Sequence, residues 1–361
     1  MVESAFLDKM QKIPHLLPWQ HADWENLRQY QSNKNIPQAL LLTGSKGSAK
    51  SELAVLWAKT LLCDTVLPGM LSDNQTTACG HCASCELFQA GTHPDYMMIE
   101  PEEVGKAIKV GQIRELVEFV SLTRSRGKIR VILVNPAESM NINAANSLLK
   151  TLEEPPENTL ILLVSSKPAA LSATIRSRCQ FFPITAVDIE SISAWLTQGS
   201  DKNADISEKE LDLALALAEY SPFNAKFYLE SSILSVADDL LNDWKMLANG
   251  AAKPSNIAEK WLKQTENIPI RLVYTWVIDM IRYHSINNNE VSNIAEGEVR
   301  LDFYHKDNQL IRELGLGIPL KRLFGMYDKV LEVLKLEHSS LNNQLQLESL
   351  LIQWSLIAQS K

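Results

Sequence analysis

The sequence predicts a parallel α/β module followed by an all-helical remainder. Three observations predict it. Short, continuous apolar runs alternate with helix-spaced stretches from QALLLTG (38–44) to FFPITA (181–186). After FFPITA no further convincing buried strand is legible. From Ile189 onward the apolar residues recur at helical spacing instead. A strand covered on both faces reads as an unbroken apolar run, so this pattern implies a parallel sheet with helices on both sides.

In chain order, QALLLTG is a short buried strand broken by Gly44. KSELAVLWAKTLLC follows as a helix, with Leu53, Leu56, Trp57, Leu61 and Leu62 at helical spacing. YMMIEP (96–101) is a second strand, ending at a proline. VGQIRELVEFVSL (110–122) places Ile113, Leu116, Val117 and Val120 on one helical face. KIRVILVNP (128–136) is the strongest strand. NAANSLLKTLEEPP (143–156) is a helix stopped by Pro155 and Pro156, and TLILLVSS (159–166) is another buried strand. The helical remainder reads IESISAWL, EKELDLALALA, then AKFYLESSILSVADDLLNDWKML as one stretch, and later pieces to LLIQWSLIAQ. Trp244, Trp261, Trp276 and Trp354 are expected in a core or a subunit interface.

At 361 residues the chain calls for two or three domains. A boundary is expected near 186, and a softer break between 231 and 245 that no Gly/Pro linker marks. A net charge of −8 argues against a protein that mainly coats nucleic acid. No membrane-length apolar run and no secretory h-region is legible, so a cytoplasmic location without membrane partners is expected.

GSKGSAKS, Gly44 to Ser51, lies between the first strand and the first helix of the module. It approaches the phosphate-loop pattern G-x-x-x-x-G-K-[ST]. Gly44, Lys50 and Ser51 fit, and Gly47 helps the backbone bend, but Ala49 stands where the second required glycine belongs. Two readings stay open at this point: weak nucleotide binding, or a turn kept for packing. Hydrolysis needs more than the loop. The strong strand should end in a metal-binding Asp and a water-activating Glu, yet Asn135 and Pro136 occupy those places. Neither supplies a carboxylate. Glu138 is two residues beyond and is expected to point elsewhere.

Four of the five cysteines fall within 23 positions, spaced Cys63-x15-Cys79-x2-Cys82-x2-Cys85. Four thiolates at that spacing suit a closed tetrahedral zinc site, structural because no coordination position stays open. Free thiols or a redox pair are the alternatives. His81 is expected beside the ligands or exposed, and His93 in GTHPDY is expected to be a turn residue.

AANSLLKTLEEPPENTLILLVSS (144–166), LSATIRSRCQFF (171–182), AGTHPDY (90–96) and the four-cysteine segment together resemble the delta-prime family of bacterial DNA polymerase III clamp loaders, a branch of the AAA+ proteins. The resemblance covers the first 185 or so residues with distinctive motifs; the helical remainder agrees only in length and character. It implies a RecA-like AAA+ domain at 1–186 carrying a zinc module at 63–85, a helical lid at 187–232 and a helical collar for oligomerisation at 233–361. It implies a non-hydrolysing stator that works with gamma or tau ATPase subunits and a delta subunit, and through them with the sliding clamp and primer–template DNA. It also implies that Arg178, within Ser177-Arg178-Cys179, is an arginine finger for a neighbouring subunit's ATP. Spacing alone would read Arg178 as a surface salt bridge, and Arg176 is the nearer rival. Cys179 reads as a small buried hydrophobe. In YSPFNAKF (220–227) Phe223 takes the place of the sensor arginine of the family's motors. The competing functions are an active gamma-type ATPase, for which Asn135-Pro136 is the wrong strand ending, and a zinc-dependent DNA-binding protein. The second would want a basic face, and residues 63–86 hold no Lys or Arg. Direct DNA contact by Lys106, Lys109, Arg124 or Arg126 stays open.

Overall fold

The computed structural model describes residues 16–33, 35–65, 77–103, 105–126, 129–198, 206–218, 220–231, 233–263, 268–287, 314–315, 317–335 and 343–359. The chain divides into two compact units, Met1–Trp195 and Leu196–Lys361.

The first unit is built on five strands: β1 (Ala39–Thr43), β2 (Tyr96–Ile99), β3 (Arg130–Val134), β4 (Thr159–Ser165) and β5 (Gln180–Pro183). Their order is β2-β3-β4-β1-β5 and every pairing is parallel, as the continuous apolar runs predict. Between them run α1 (His21–Ser32), ahead of β1, then α2 (Lys50–Leu62), α3 (Ala83–Gln89), α4 (Val110–Ser121), α5 (Ile142–Glu153) and α6 (Ala173–Arg178). The period-2 alternation of a strand explains why both faces need cover. Leu40 and Leu42 pack with Leu53 and Trp57 of α2 and Trp24 and Leu27 of α1. Leu41, one residue along, packs on the other face with Leu116 of α4, Leu148 of α5 and Ile175 of α6. Truncating such a residue, Leu41→Ala for example, costs about 2–5 kcal/mol.

The helix ends follow their sequences. Asn141 caps α5, its Oδ1 accepting the Ala144 amide at 2.8 Å, and Pro155–Pro156 lies just past its last turn. Ser172 caps α6 through the Ile175 amide.

α7 (Ile189–Gln198) is followed in the second unit by α8 (Glu208–Leu217), α9 (Pro222–Glu230), α10 (Ile233–Ala248), α11 (Pro254–Trp261), α12 (Ile268–Asn287), α13 (Leu320–Lys335) and α14 (Asn343–Gln359). All described elements here are helical, as expected. The stretch 225–247, read from sequence as one helix, is two. α9 ends with the Ser231 amide bonded to the Phe227 and Tyr228 carbonyls, and its hydroxyl also bonds the Phe227 carbonyl.

Trp244 is the centre of this unit's core. Its ring stacks on Trp354 with centroids 4.2 Å apart and on Trp261 at 6.2 Å, and Trp276 tilts against it at 5.8 Å. The Trp354 indole donates to the Trp244 carbonyl at 3.0 Å, and that of Trp261 to the Asp243 carboxylate at 2.9 Å. All four rings are fully buried, so they are core. α14 is apolar on two sides: Leu347, Leu350, Leu351 and Trp354 face inward, while Leu345, Ile352 and Leu356 stand exposed. Among the described residues no helix is long and apolar enough to cross a membrane.

Candidate functional site

Three clusters in the first unit carry the candidate residues.

The first is the loop at the C-terminal end of β1. Gly47 has φ 84° and Ala49 has φ 61°, so two residues in three turn left-handed to bring the backbone into α2. Glycine accepts this freely, whereas at Ala49 the methyl group costs roughly 1–2 kcal/mol. The Gln20 side-chain amide, itself buried, donates to the Ala49 carbonyl at 2.8 Å and holds the turn. Gly44 matters for a different reason. A Cβ there would sit 3.3 Å from Cδ of Lys50, so its absence lets the lysine fold back across the loop. Lys50 Nζ donates to the Ser45 carbonyl at 2.5 Å and lies 3.4 Å from the Ser48 hydroxyl. Burial lowers the Lys50 pKa, against the opposing pull of Glu138 and Glu52. The Ser51 hydroxyl donates to Asn135 Oδ1 at 3.0 Å. Asn135 also hydrogen-bonds Glu100, whose pKa burial raises despite that bond. Gly44, Gly47, Lys50 and Ser51 are therefore brought together as their spacing predicts, with Asn135 beside them. Glu138 does not point away. Its Oε1 accepts the Ser166 amide at 3.0 Å at the end of β4, and its charge is felt by Lys50. A short 3-10 turn, Ala137–Ser139, swings it back over the strand ends, which a strand-register argument does not foresee.

The second cluster is the cysteine knuckle. The four Sγ atoms of Cys63, Cys79, Cys82 and Cys85 all lie within 4.8 Å of one another. The Cys63–Cys82 and Cys79–Cys85 pairs are each 3.9 Å apart. Four thiolates about 2.3 Å from one tetrahedral ion are spaced about 3.8 Å apart, so the donor set fits; a disulfide at about 2.05 Å does not. Amides of Cys79, Cys82 and Cys85 each point at the sulfur of the preceding cysteine at 3.4 Å, which favours thiolate charge. α2 delivers Cys63 and the first turn of α3 delivers Cys85. Asp64 staples the two ends, accepting the Ser84 amide at 3.1 Å and its hydroxyl at 2.6 Å. His81 is exposed and hydrogen-bonds the Cys79 carbonyl. Of the long loop expected between the first two ligands, 66–76 lies outside the described residues.

The third is the end of α6. Arg178 pairs with Glu153, the last residue of α5, and its Nη1 donates to the Thr174 carbonyl at 3.0 Å. Its side chain keeps 31% of its surface exposed. Cys179 beside it is buried, and burial pushes its thiol up to about 11.

Sequence reasoning missed one further group. Asp95 and Arg130 form a buried ion pair at 3.5 Å. Asp95 also accepts the Ser125 and Arg126 amides, while Arg130 donates to the carbonyls of Phe119, Leu122 and Thr123. The pair fixes the loop between α4 and β3; the visible signal was a lone arginine opening an otherwise apolar strand. His93 is buried near it as a turn residue, its Nδ1 accepting the Asp95 amide. Lys109 is tied to Glu102.

A family profile described as "DNA polymerase III, delta subunit" matches residues 19–188. The chain is 35% identical over 350 residues to DNA polymerase III subunit delta' of Pseudomonas aeruginosa, covering 94% of this chain and 97% of that one. To subunit delta' of Escherichia coli K12 it is 34% identical over 206 residues, 57% of this chain and 58% of that one. It is also 35% identical over 157 residues to E. coli DNA polymerase III subunit tau, 44% of this chain and 23% of tau.

Proposed function

The chain belongs to the DNA polymerase III delta-prime family, and from that premise we propose that it is a non-hydrolysing stator subunit of a cytoplasmic clamp loader. It lends Arg178 to the ATP site of a neighbouring gamma or tau subunit while its own site stays inert. One observation carries the reading: the Ser51 hydroxyl is bonded to the Asn135 amide oxygen, at the point where magnesium would need a hydroxyl and a carboxylate. Asparagine brings no charge to that ion, and Pro136 brings no base. With Lys50 folded onto the loop's own Ser45 carbonyl, the group that would reach the outer phosphates is engaged inside the chain.

Arg178 supports the complementary half. A guanidinium offers a rigid fork of donors to charge developing on a transferred phosphoryl group. The cysteine knuckle holds a structural zinc ion in this reading, ATP sits in the neighbour, and residues 1–186, 187–232 and 233–361 serve as AAA+ module, lid and collar. In the lid, Phe223 is buried and has no donor for a phosphate. The exposed Leu345, Ile352 and Leu356 stripe of α14 is suited to a neighbouring collar helix. A delta subunit, the sliding clamp and primer–template DNA are engaged through the complex.

The experiment is to measure ATP turnover by the purified chain, then by the chain mixed with motor and clamp-opening subunits, with complex mass recorded alongside. Alone it should hydrolyse ATP no faster than buffer; turnover that disappears in Lys50→Ala overturns the stator assignment.

A further inference from the structure

Glu153 stands at the C-terminal end of α5, where Pro155–Pro156 allows no further turn, and it meets Arg178 at the end of α6. The two helices form one rigid platform: Leu148 and Leu152 of α5 share a core cluster with Ile175 of α6 and with Cys179 just beyond it. On that platform one edge of the guanidinium is held. Nη2 binds Glu153 Oε1, Nη1 binds the Thr174 carbonyl, and Nε is enclosed with no hydrogen-bond partner. An arginine carries five N–H donors; Nη1 also lies 3.4 Å from the Ser177 hydroxyl, so this grip fixes the plane of the fork and leaves the second N–H of Nη2 for something else. Stability does not account for the pairing, since Glu153 is exposed at 47% and Arg178 keeps 31% of its side chain exposed, and such partly exposed pairs contribute little to folding.

We infer that Glu153 is the positioning residue of the arginine finger: it orients the Arg178 guanidinium toward the triphosphate of the adjoining subunit. The inference rests on the proposed role of Arg178. Glu153 touches neither nucleotide nor metal; it acts through the arginine alone. Misplacing a reacting group by about 1 Å costs up to 10²-fold in rate, which sets the size of the effect.

The test is steady-state ATPase of the reconstituted clamp-loader complex carrying Glu153→Ala, Glu153→Gln, Arg178→Ala or the Glu153→Ala/Arg178→Ala double variant, with complex mass checked for each. Glu153→Ala should lower kcat roughly 10- to 100-fold with KM for ATP unchanged. Glu153→Gln keeps the acceptor oxygen and should fall between it and the parent; it also serves should the alanine variant fail to assemble. In the Arg178→Ala background, Glu153→Ala should add no further loss, because it has nothing left to orient. Should Arg178→Ala slow the complex while Glu153→Ala leaves it unchanged or faster, the positioning role is overturned and the finger stands. Should Arg178→Ala itself change nothing, the finger fails and the positioning role falls with it.

Discussion

The loop at Gly44–Ser51 and the tip of α6 are both polar clusters at helix ends on the same parallel sheet, yet their cations are used in opposite ways. Lys50 is buried, and its ammonium bonds the carbonyl and hydroxyl of its own loop. Arg178 is gripped along one edge and keeps about a third of its side chain in contact with solvent. Both cations bond groups of their own chain, but Lys50 is enclosed by its loop while Arg178 still reaches solvent. Under the proposed function, the contrast teaches that a nucleotide-binding fold can keep its geometry while the chemistry passes to the surface. On the proposed reading, Asn135 and Pro136 in place of two carboxylates remove the reason to hold a magnesium ion. The hydroxyl and lysine then satisfy each other's neighbourhood, because buried polar groups without partners are costly.

That comparison can be broken in several places. Arg178→Ala carries the largest expected effect. Turnover at the neighbouring ATP site that Arg178 completes should fall about 10³-fold, the lower end for arginine fingers, with assembly unchanged by mass. A chain whose Arg178 is dispensable would make the two clusters equivalent.

Chelating the proposed zinc comes next. The knuckle ties the end of α2 to α3 at the opposite end of α2 from the phosphate loop, so it braces the sheet that both clusters share. Chelation should release one zinc per chain, measured by a colorimetric dye. It should lower the melting temperature by about 5 °C or more, the shift produced by ~2 kcal/mol in a unit of this size. Thiol labelling at pH 8 should then be faster at Cys63, Cys79, Cys82 and Cys85 than before chelation. Cys179 should label slowly before and after, since a buried thiol pushed up to about 11 is ionised to only about one part in a thousand at that pH.

A smaller effect tests the loop's strain. Ala49→Gly at φ 61° should raise stability by about 1 kcal/mol in denaturant melts, with the chain alone still failing to turn over ATP. Gain of turnover would mean that a methyl group, not the missing carboxylates, silences the site. Smallest of all, Lys50→Ala should leave the ATPase of the complex within about twofold of the parent, because changes away from the reacting groups rarely alter the barrier.

Much of this was legible beforehand, for identifiable physical reasons. Leu40–Leu42 and Leu160–Leu163 announced themselves because a strand buried on both faces admits no polar alternation. The knuckle was legible because thiol ligands need fixed local spacing. What stayed hidden depended on long-range approach. Glu138 reaches the Ser166 amide only because of a three-residue turn, and Asp95 finds Arg130 across 35 positions of sequence. Glu153 meets Arg178 across 25, through the packing of α5 on α6. The left-handed Ala49 could be suspected from the motif but not asserted, since alanine seldom adopts that backbone. The stretch 225–247 read as one helix because its apolar spacing runs across the break after Glu230 with no Gly or Pro to mark it.

The most direct test of the central claim is a structure of the assembled clamp loader trapped with ADP and a fluoride mimic of the transferred phosphoryl group. The account predicts Arg178 within hydrogen-bond distance of that mimic in the adjoining subunit, with no such mimic held at the Gly44–Ser51 loop. A nucleotide cradled by Lys50 and Ser51, with Arg178 turned to open solvent, would contradict it.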